Sequence, residues 1–387
     1  MTRVAFTTAY TSAIDYLNTN LTKKNKLQEQ LSTGQAINRP SDDPVGFAYA
    51  LGYNTSISER KQNISNMDDG LVYLDATDTV LTSMDSLYQR TRELAVQASN
   101  DTNGKDERLY INNEVRERLN EMLALSNTKQ NGNYIFAGTW TDQKPYEIKD
   151  GTALFDAVPT VGGGAVRLYD ANYEDPNVEP GLPNTRGEPL VQRIIPGSFS
   201  LTAAGGAVEG TDYEVDYVNG TVSALTALGE TALAGGCDFE YVYRNSSDTS
   251  GALMREVESG MTVQVNLTSD DFIGKDGDMD AFKSVISLME GLWENDQPAI
   301  ADAIVTLDDG AERNCAMQAL TGARINRMES VGERAEDRIS QDTTNLDSVA
   351  SIDWAEAFSS YTLAETVYNA SLKSAAKMMQ TSLMDYI

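Results

Sequence analysis

The residues that most strongly suggest a chemical site are the alternating aspartates Asp276, Asp278 and Asp280. Carboxylates at alternate positions can converge on a hard cation such as Ca²⁺. An EF-hand loop would also need glycine at its sixth position and glutamate at its twelfth, and these positions hold Ala281 and Ser287. We therefore expect an acidic turn that caps the following helix, with calcium binding as the alternative, and no metal site is predicted.

Histidine is absent from the chain. Its absence excludes Ser-His-Asp and Cys-His nucleophile systems and imidazole-ligated zinc. The two cysteines, Cys237 and Cys315, lie in segments of different character, so neither a disulfide framework nor a four-ligand metal site is expected. Both thiols should sit as small apolar residues. No Gly-x-x-x-x-Gly-Lys-Ser/Thr phosphate loop occurs. The sequence therefore predicts a protein that holds no cofactor and is not an enzyme.

The charge balance is strongly acidic, with 30 lysines and arginines against 58 aspartates and glutamates and a net charge of −28. Such a surface repels nucleic acid and anionic lipid, so neither is predicted as a partner. The chain has no apolar run of about 18 residues, as a membrane-spanning helix would need. Its first residues have neither the apolar core nor the cleavage site of a secretory signal, so we expect export without a cleavable signal peptide.

Composition changes twice along the chain. Of the 29 glycines, 18 lie between Gly151 and Gly277, and seven of the ten prolines lie between Pro145 and Pro196. Helix formers dominate on either side of this block, which predicts a mainly α fold with an inserted β domain. We divide it into a terminal coiled-coil domain (residues 1–40 and 350–387), a helical rod (41–146 and 278–349) and a strand-rich outer domain (147–277).

The first predicted helix ends near Gly34, and a loop then leads into the second helix. In the first helix, apolar residues follow steps that fit one helical face: Ile14, Leu17, Leu21 and Leu31. The loop consists of Arg39, Pro40, Ser41, Asp42, Asp43 and Pro44. Its two prolines fix φ, and Ser41 or Asp42 is expected to cap the first turn of the next helix.

A long helix is predicted from Pro44 to about Asn100, roughly 85 Å long at about 1.5 Å per residue. Two lines of apolar residues repeat every seven positions: Ile57, Ile64 and Leu71 form one, and Met67, Leu74, Leu81, Tyr88 and Ala95 form the other. A turn at Asn103 and Gly104 precedes a shorter helix from Lys105 to about Lys129. This order predicts an antiparallel helical hairpin.

Short extended segments are predicted between this hairpin and the returning helices. The first comprises Tyr134, Ile135, Phe136, Ala137 and Gly138, followed by Thr139. Others combine β-branched and aromatic residues between glycine-rich turns; they are residues 193–195, 198–201, 213–218, 239–243 and 262–267. Helix should return at about Asp278, with Pro298 as the single interruption from there to the end.

The last helix carries apolar residues on more than one face. Its larger side chains follow three–four spacing: Phe358, Tyr361, Tyr368, Leu372, Ala375, Met379, Leu383 and Tyr386, with Glu365 as one polar member. A second line, which includes Ala364 and Ser371, is mostly small. One partner helix cannot cover several apolar faces, so we predict that both terminal helices pack between subunits.

These residues resemble the flagellin superfamily. The resemblance lies in the first 130 or so residues and the last hundred, and includes residues 31–34, the Arg39–Pro44 loop and residues 92–98. Within the superfamily, Tyr134–Thr139 followed by Lys144, Pro145 and Tyr146 resembles the branch of hook-associated protein 3, the hook–filament junction. The residues at 368–372 and 382–387 are also closer to that branch. Residues 147–277 match nothing recognisable.

The resemblance implies a layered fold in which the terminal helices pair as a coiled coil inside a tubular assembly and the centre projects outward. It also implies a homo-oligomeric ring, with a neighbouring hook-associated protein and flagellin as partners. Export through the flagellar type III channel, helped by a cytoplasmic chaperone on the C-terminal segment, would place the subunit outside the cell. The expected function is that of an adaptor between hook and filament. A filament flagellin and a secreted coiled-coil binding protein or adhesin are the alternatives.

Overall fold

The computed structural model describes residues 2–100, 103–155, 158–170, 193–202, 206–244, 251–274 and 281–384. The fold is mainly helical, as predicted. Its helices are α1 (Thr2–Thr33), α2 (Pro44–Ala98), α3 (Lys105–Ser126), α4 (Ala227–Ala234), α5 (Ser269–Phe272), α6 (Ala281–Glu294), α7 (Gln297–Ala350) and α8 (Trp354–Met384). Of the helices described, none is both long enough and apolar enough to cross a membrane.

Strands occupy the centre of the chain. They are β1 (Lys129–Gln130), β2 (Asn133–Tyr134), β3 (Tyr146–Phe155), β4 (Val166–Asp170), β5 (Ser200–Leu201), β6 (Tyr213–Asp216), β7 (Thr221–Ala224), β8 (Cys237–Arg244), β9 (Met254–Glu258) and β10 (Met261–Gln264). Six of them form an antiparallel sheet in the order β5-β8-β3-β4-β7-β6, so β6 is an edge strand. β1 pairs with β2 and β9 with β10 as separate hairpins.

The chain forms two compact units. One comprises residues 1–65 and 331–387, and the other comprises residues 66–330. The first unit contains α1 and α8, which pack against each other. The second unit contains the sheet and the helices α3 to α6. The three domains predicted from composition are a finer division and stay a prediction.

The predicted heptad line of α2 lies in the core of the second unit. All five of its residues are buried: Met67, Leu74, Leu81, Tyr88 and Ala95. On α3, Val115, Leu119, Met122 and Ser126 follow steps of three and four and are also buried. Seven-residue spacing places one stripe on a single side of α2, and Leu81, Tyr88 and Ala95 of this stripe belong to one hydrophobic cluster with residues of α3 and of the sheet. The long-helix and short-helix predictions are therefore confirmed.

The returning helix differs from the prediction. It was expected to run from about Asp278 with Pro298 as its single interruption, whereas α6 ends at Glu294 and α7 begins at Gln297. A second break, which was not predicted, separates the end of α7 at Ala350 from the start of α8 at Trp354. Asn295, between α6 and α7, has a φ of 58°, in the left-handed region that asparagine tolerates better than most residues. The Asp296 N–H donates to the carbonyl of Gly291 at 2.9 Å, which closes the last turn of α6. Pro298 lies in the first turn of α7, where a missing N–H costs little.

The two cysteines have different surroundings. Cys237 is buried in the core, as expected of a small apolar residue, but Cys315 on α7 is exposed, so the expectation was wrong for that thiol. Both are free thiols. Burial raises the pKa of the Cys237 thiol to about 12. Cys237 therefore stays protonated near neutral pH.

Candidate subunit interface

The terminal helices α1 and α8 pack side by side in opposite directions. The Asn20 side-chain amide donates to the Ser371 hydroxyl at 3.0 Å, and Lys24 Nζ lies 5.7 Å from the ring centre of Tyr368. Near the other end of the pair, the Trp354 ring approaches Gly34. Residue numbers rise along α1 as they fall along α8, so the two helices are antiparallel.

The covered positions follow heptad spacing on both helices. On α1 the partly covered residues at three–four steps are Ala13, Leu17, Asn20, Lys24, Leu27 and Leu31. On α8 they are Ala357, Tyr361, Ala364, Tyr368, Ser371 and Ala375. We call these two rows the seam. Alternating steps of three and four are the spacing that keeps one stripe facing a partner helix in a coiled coil.

Large apolar side chains flank the seam of α8 on both sides. With about 100° between successive residues, Trp354, Phe358 and Leu372 lie roughly 70° to one side of the seam, and Leu363 and Val367 lie roughly 100° to the other. Phe358 is 66% exposed and Leu363 is 65% exposed. We call these two groups the flanks. Neither flank is covered by α1, so each presents an apolar surface that a further helix could cover.

The predicted packing residues fall into distinct groups. Leu17, Leu31, Tyr361, Tyr368 and Ala375 lie in the seam, and Ile14 is half-buried beside it. Phe358 and Leu372 lie on a flank, and Leu21 of α1 is 36% exposed. The side chains of Met379 and Leu383, and all of Tyr386, lie outside the described residues. The role of these residues in subunit packing remains a prediction.

Sequence reasoning did not select several exposed apolar residues. Trp354 and Leu363 on α8, Tyr16 on α1, and Val45 and Tyr49 on α2 are all exposed. A helical projection of α8 would have grouped Trp354 with Phe358, because four residues make slightly more than one turn. Val45 and Tyr49 have the same spacing on α2. These residues were missed because the seam itself contains polar residues. A search for apolar spacing alone therefore cannot separate the seam positions from the exposed flank positions.

The loop between α1 and α2 is held against α1. The Asp42 carboxylate pairs with Lys26 Nζ at 2.8 Å and accepts from the Arg39 N–H, and these hydrogen bonds lower the pKa of Asp42, with Lys26 as the main cause. The Arg39 guanidinium reaches Glu29 at 3.2 Å. Lys26 and Arg39 are exposed and Glu29 and Asp42 are half-buried, so each ion pair has at least one solvated partner and contributes little to stability.

The cap of α2 is Asp43, not Ser41 or Asp42 as expected. The Asp43 carboxylate accepts from the Val45 N–H at 3.1 Å, two residues into the helix. Pro44 occupies the first helical position, which fixes the residue before it as the cap. The loop prediction was correct in its boundaries but wrong in the capping residue.

The segment Tyr134–Thr139 is part of the core of the second unit. Tyr134, Ile135, Phe136, Ala137 and Gly138 are buried, and Thr139 is exposed. The Phe136 ring stacks on Phe272 with their centres 3.9 Å apart. Only Tyr134 belongs to a strand, and Gly138 turns the chain with a φ of 64°, so the expected extended run stops early. Its burial indicates a role in folding rather than in contacts with other molecules.

The predicted acidic turn at Asp276–Asp280 lies outside the described residues. Across the described part of the chain, no group of three or more histidine, cysteine, aspartate or glutamate residues is placed to hold a metal ion.

Residues 5–141 match the family model described as the bacterial flagellin N-terminal helical region. The match covers about a third of the chain, and over these residues the chain is similar to the flagellin family. The resemblance predicted from the sequence motifs is therefore confirmed.

The chain is also similar to flagellar hook-associated protein 3 of Escherichia coli strain K12, with 23% identity over 359 residues, 92% of this chain and 91% of the relative. A flagellin of Clostridium tyrobutyricum is 29% identical over 223 residues, 54% of this chain and 52% of the relative. The chain thus spans about half the length of that flagellin.

A solved structure of a protein assigned as a flagellar hook-associated protein of Vibrio parahaemolyticus has the same fold. It superimposes with a TM-score of 0.50 at 13% identity and covers 80% of this chain and 100% of its own. The likeness concerns the fold alone.

Proposed function

We propose that this chain is the adaptor that joins the hook of the flagellum to its filament, and that α8 binds neighbouring subunits through its flanks. The observation that carries the proposal is the exposure of large apolar side chains on both sides of the α1–α8 seam. Full burial of a phenylalanine or leucine side chain contributes about 1.5–3 kcal/mol. Phe358, Leu363 and Leu372 would each add such a term at every repeated contact of a ring.

The choice of an adaptor over a filament subunit is supported by how the relatives align. The similarity to hook-associated protein 3 runs through nearly the full length of both chains, whereas the flagellin of Clostridium tyrobutyricum matches over about half of its length. A filament subunit would be expected to match flagellins through their terminal regions and also in overall size.

Partners follow from this assignment. Sister subunits form a ring, with a hook-associated protein on one side and flagellin on the other. The C-terminal segment, before assembly, binds a cytoplasmic export chaperone that covers the flanks of α8. The mature subunit lies outside the cell, in the flagellum, after export through the flagellar type III channel.

Deletion of the gene tests the proposal directly. We expect cells with complete hooks and no filaments, with flagellin released into the medium, and restoration of filaments by the wild-type gene. Cells that still carry filaments on their hooks would disprove the adaptor. Electron microscopy of intact flagella, with the subunit labelled, should place it as a short band between hook and filament.

A filament flagellin is the second candidate, because 29% identity connects the chain to a flagellin. Purified subunits separate the two functions. An adaptor should form at most short rings or small oligomers, since its two ends meet different partners. Long filaments that grow from this chain alone would support the flagellin alternative and contradict the adaptor.

A further inference from the structure

A cluster of carboxyl groups lies where helix α6 approaches the edge strand of the six-stranded sheet. The edge strand is β6, and the residue after it is Tyr217. The Tyr217 N–H donates to the Glu290 carboxyl of α6 at 3.0 Å. The Tyr217 N–H lies just past the end of β6, and the helix supplies its hydrogen-bond acceptor. Glu290 therefore links α6 to the sheet.

Glu290 is surrounded by further acids. An open cleft of about 560 Å³ is lined by Glu214, Asp216, Glu290 and Glu294, and Lys283 is the basic residue in this lining. Glu214 and Asp216 come from β6, whereas Lys283 and Glu294 come from α6. Like charges in one partly buried cleft repel each other, so full ionisation of the cluster is unfavourable.

Glu209, in the loop before β6, ties two aromatic side chains to the same cluster. Its carboxylate accepts a short hydrogen bond from the Tyr217 hydroxyl and a second one from Trp293 Nε1 at 3.3 Å. Trp293 lies on α6, so this contact is a second link between the loop and that helix. Displacement of the loop would change the surroundings of the Trp293 indole.

The carboxyl groups differ in how easily they ionise. Burial raises the pKa of Glu290 to about 8, helped by the charges of Asp216, Glu294 and Glu209 and opposed by the Tyr217 N–H. Burial and the charge of Glu209 also raise the pKa of Glu294, with smaller contributions from Glu214, Asp296 and Asp216. Near neutral pH, Glu290 is therefore protonated in most of the folded molecules.

We propose that Glu290 and the carboxyl groups around it form a pH-sensitive latch between α6 and β6, closed when Glu290 is protonated and released when it ionises. Protonated Glu290 accepts from Tyr217 through its carbonyl oxygen without adding a charge. Ionised Glu290 repels Asp216 on β6, Glu294 on its own helix and Glu209 in the loop before β6. The latch concerns the second unit and is independent of the proposed function.

The direction of the pH effect follows from linkage. The folded-state pKa of Glu290 is about 8, above its usual value of 4.5, so the folded state binds this proton more tightly. The stabilisation is fully present below the unfolded-state pKa and is lost as the pH rises through the folded-state pKa. The latch should open on the alkaline side of neutrality.

Trp293 fluorescence tests the latch. In a Trp140→Phe, Trp354→Phe background it is the remaining tryptophan, since the chain contains three. We expect a reversible change in emission with a midpoint near pH 8, when the pH is raised from about 6 to about 9.5. Burial raises the pKa of Tyr213 to about 12, so ionisation of that tyrosine lies above this range.

Glu290→Gln should remove the transition and keep the closed-state emission at alkaline pH, because the amide stays neutral. Glu258→Gln, at an exposed position on β9, should leave the transition unchanged. Hydrogen exchange of the wild-type chain gives an independent measurement. The exchange rate of the β6 amides is divided into the intrinsic rate at each pH, and the resulting protection factor should fall as the pH rises. The latch would be overturned by a β6 protection factor that stays constant over this pH range. It would also be overturned if the folded Glu290→Gln variant kept the Trp293 fluorescence transition.

Discussion

The guanidinium of Arg108 donates to the side-chain oxygen of Asn295 at 2.8 Å, and its Nε donates to the carbonyl of Ala98 at 3.1 Å. One side chain on α3 thus binds the C-terminal residue of α2 and one of the two residues that separate α6 from α7. Arg108 is 5% exposed. A cation near the C-terminus of a helix is favourable, because free carbonyls concentrate negative partial charge there.

Replacement of Arg108 by alanine should destabilise the second unit. The carbonyl of Ala98 and the side chain of Asn295 would lose a charged, buried donor, at a cost of about 2–4 kcal/mol. Urea unfolding followed by circular dichroism should show a lower midpoint. Lys105→Ala, an exposed residue in the first turn of the same helix, is the matched control and should shift the midpoint little. Equal midpoints for both variants would contradict this role of Arg108.

Two glycines of α2 should respond oppositely to alanine. A Cβ at Gly52 would meet no atom within 4 Å, so Gly52→Ala should stabilise the helix by about 0.5–1 kcal/mol. A Cβ at Gly70 would lie 2.6 Å from Met328 Cε and 2.8 Å from Val265 Cγ1, so Gly70→Ala should destabilise the protein by about 1–3 kcal/mol through overpacking. Thermal unfolding of both variants measures the difference, and a shift of the same sign in both would refute it.

The flanks of α8 should affect assembly and leave the monomer fold unchanged. Phe358→Ser with Leu372→Ser removes apolar side chains that are exposed in the single chain, so monomer stability should change by less than about 0.5 kcal/mol for each. Self-association and the attachment of filaments to hooks should both be lost, because the surface that a neighbouring subunit covers is gone. Sedimentation velocity and filament counts measure these effects.

Lys373→Ser, next to Leu372 on an exposed position, is the control for that double variant and should assemble normally. Normal filament attachment by the double variant would show that this flank is not a subunit contact. Loss of helical circular dichroism would instead indicate that the flank stabilises the single chain.

Phe136→Ala should be costly because the ring stacks on Phe272 and is fully buried. The cavity and the lost contacts predict a destabilisation of about 3–5 kcal/mol. Trp140→Ala, at an exposed position a few residues later, should cost much less. Denaturant titration of both variants tests the difference, and a midpoint for Phe136→Ala close to the wild-type value would mean that the aromatic stack contributes little.

The core of the second unit was easier to predict than the terminal seam. From Met67 to Ala95, every seventh residue is apolar, and the positions that this seven-residue repeat selects are the ones that are buried. In α1 the seam includes Asn20 and Lys24, which a search for apolar spacing passes over. Their contacts with Ser371 and Tyr368 depend on the partner helix and its register, and neither can be read from α1 alone.

The sheet was predicted only in part. β5 and β6 fall within the expected extended segments and β8 and β10 overlap them, whereas β1, β3, β4, β7 and β9 were missed. β3 contains Asp150 and Gly151, a pair typical of turns, yet both lie in register opposite β8 at Glu240 and Phe239. Pairing over a long sequence separation overrides local turn preference here. The carboxyl cluster of Glu209, Asp216 and Glu290 could not be predicted for the same reason, because Glu290 lies more than 70 residues along the chain from the other two.

The burial of Tyr134–Gly138 has a consequence for how relatives of this chain are sorted. A motif that fills an interior will be retained in any descendant that keeps the fold, including one that has changed its attachments. A search for proteins that contain the Tyr134–Gly138 motif should therefore find proteins that share this fold, whatever their position in the flagellum. Assignment to a place in the flagellum should be based instead on the outward side chains of the last helix, which are free to diverge when neighbours change.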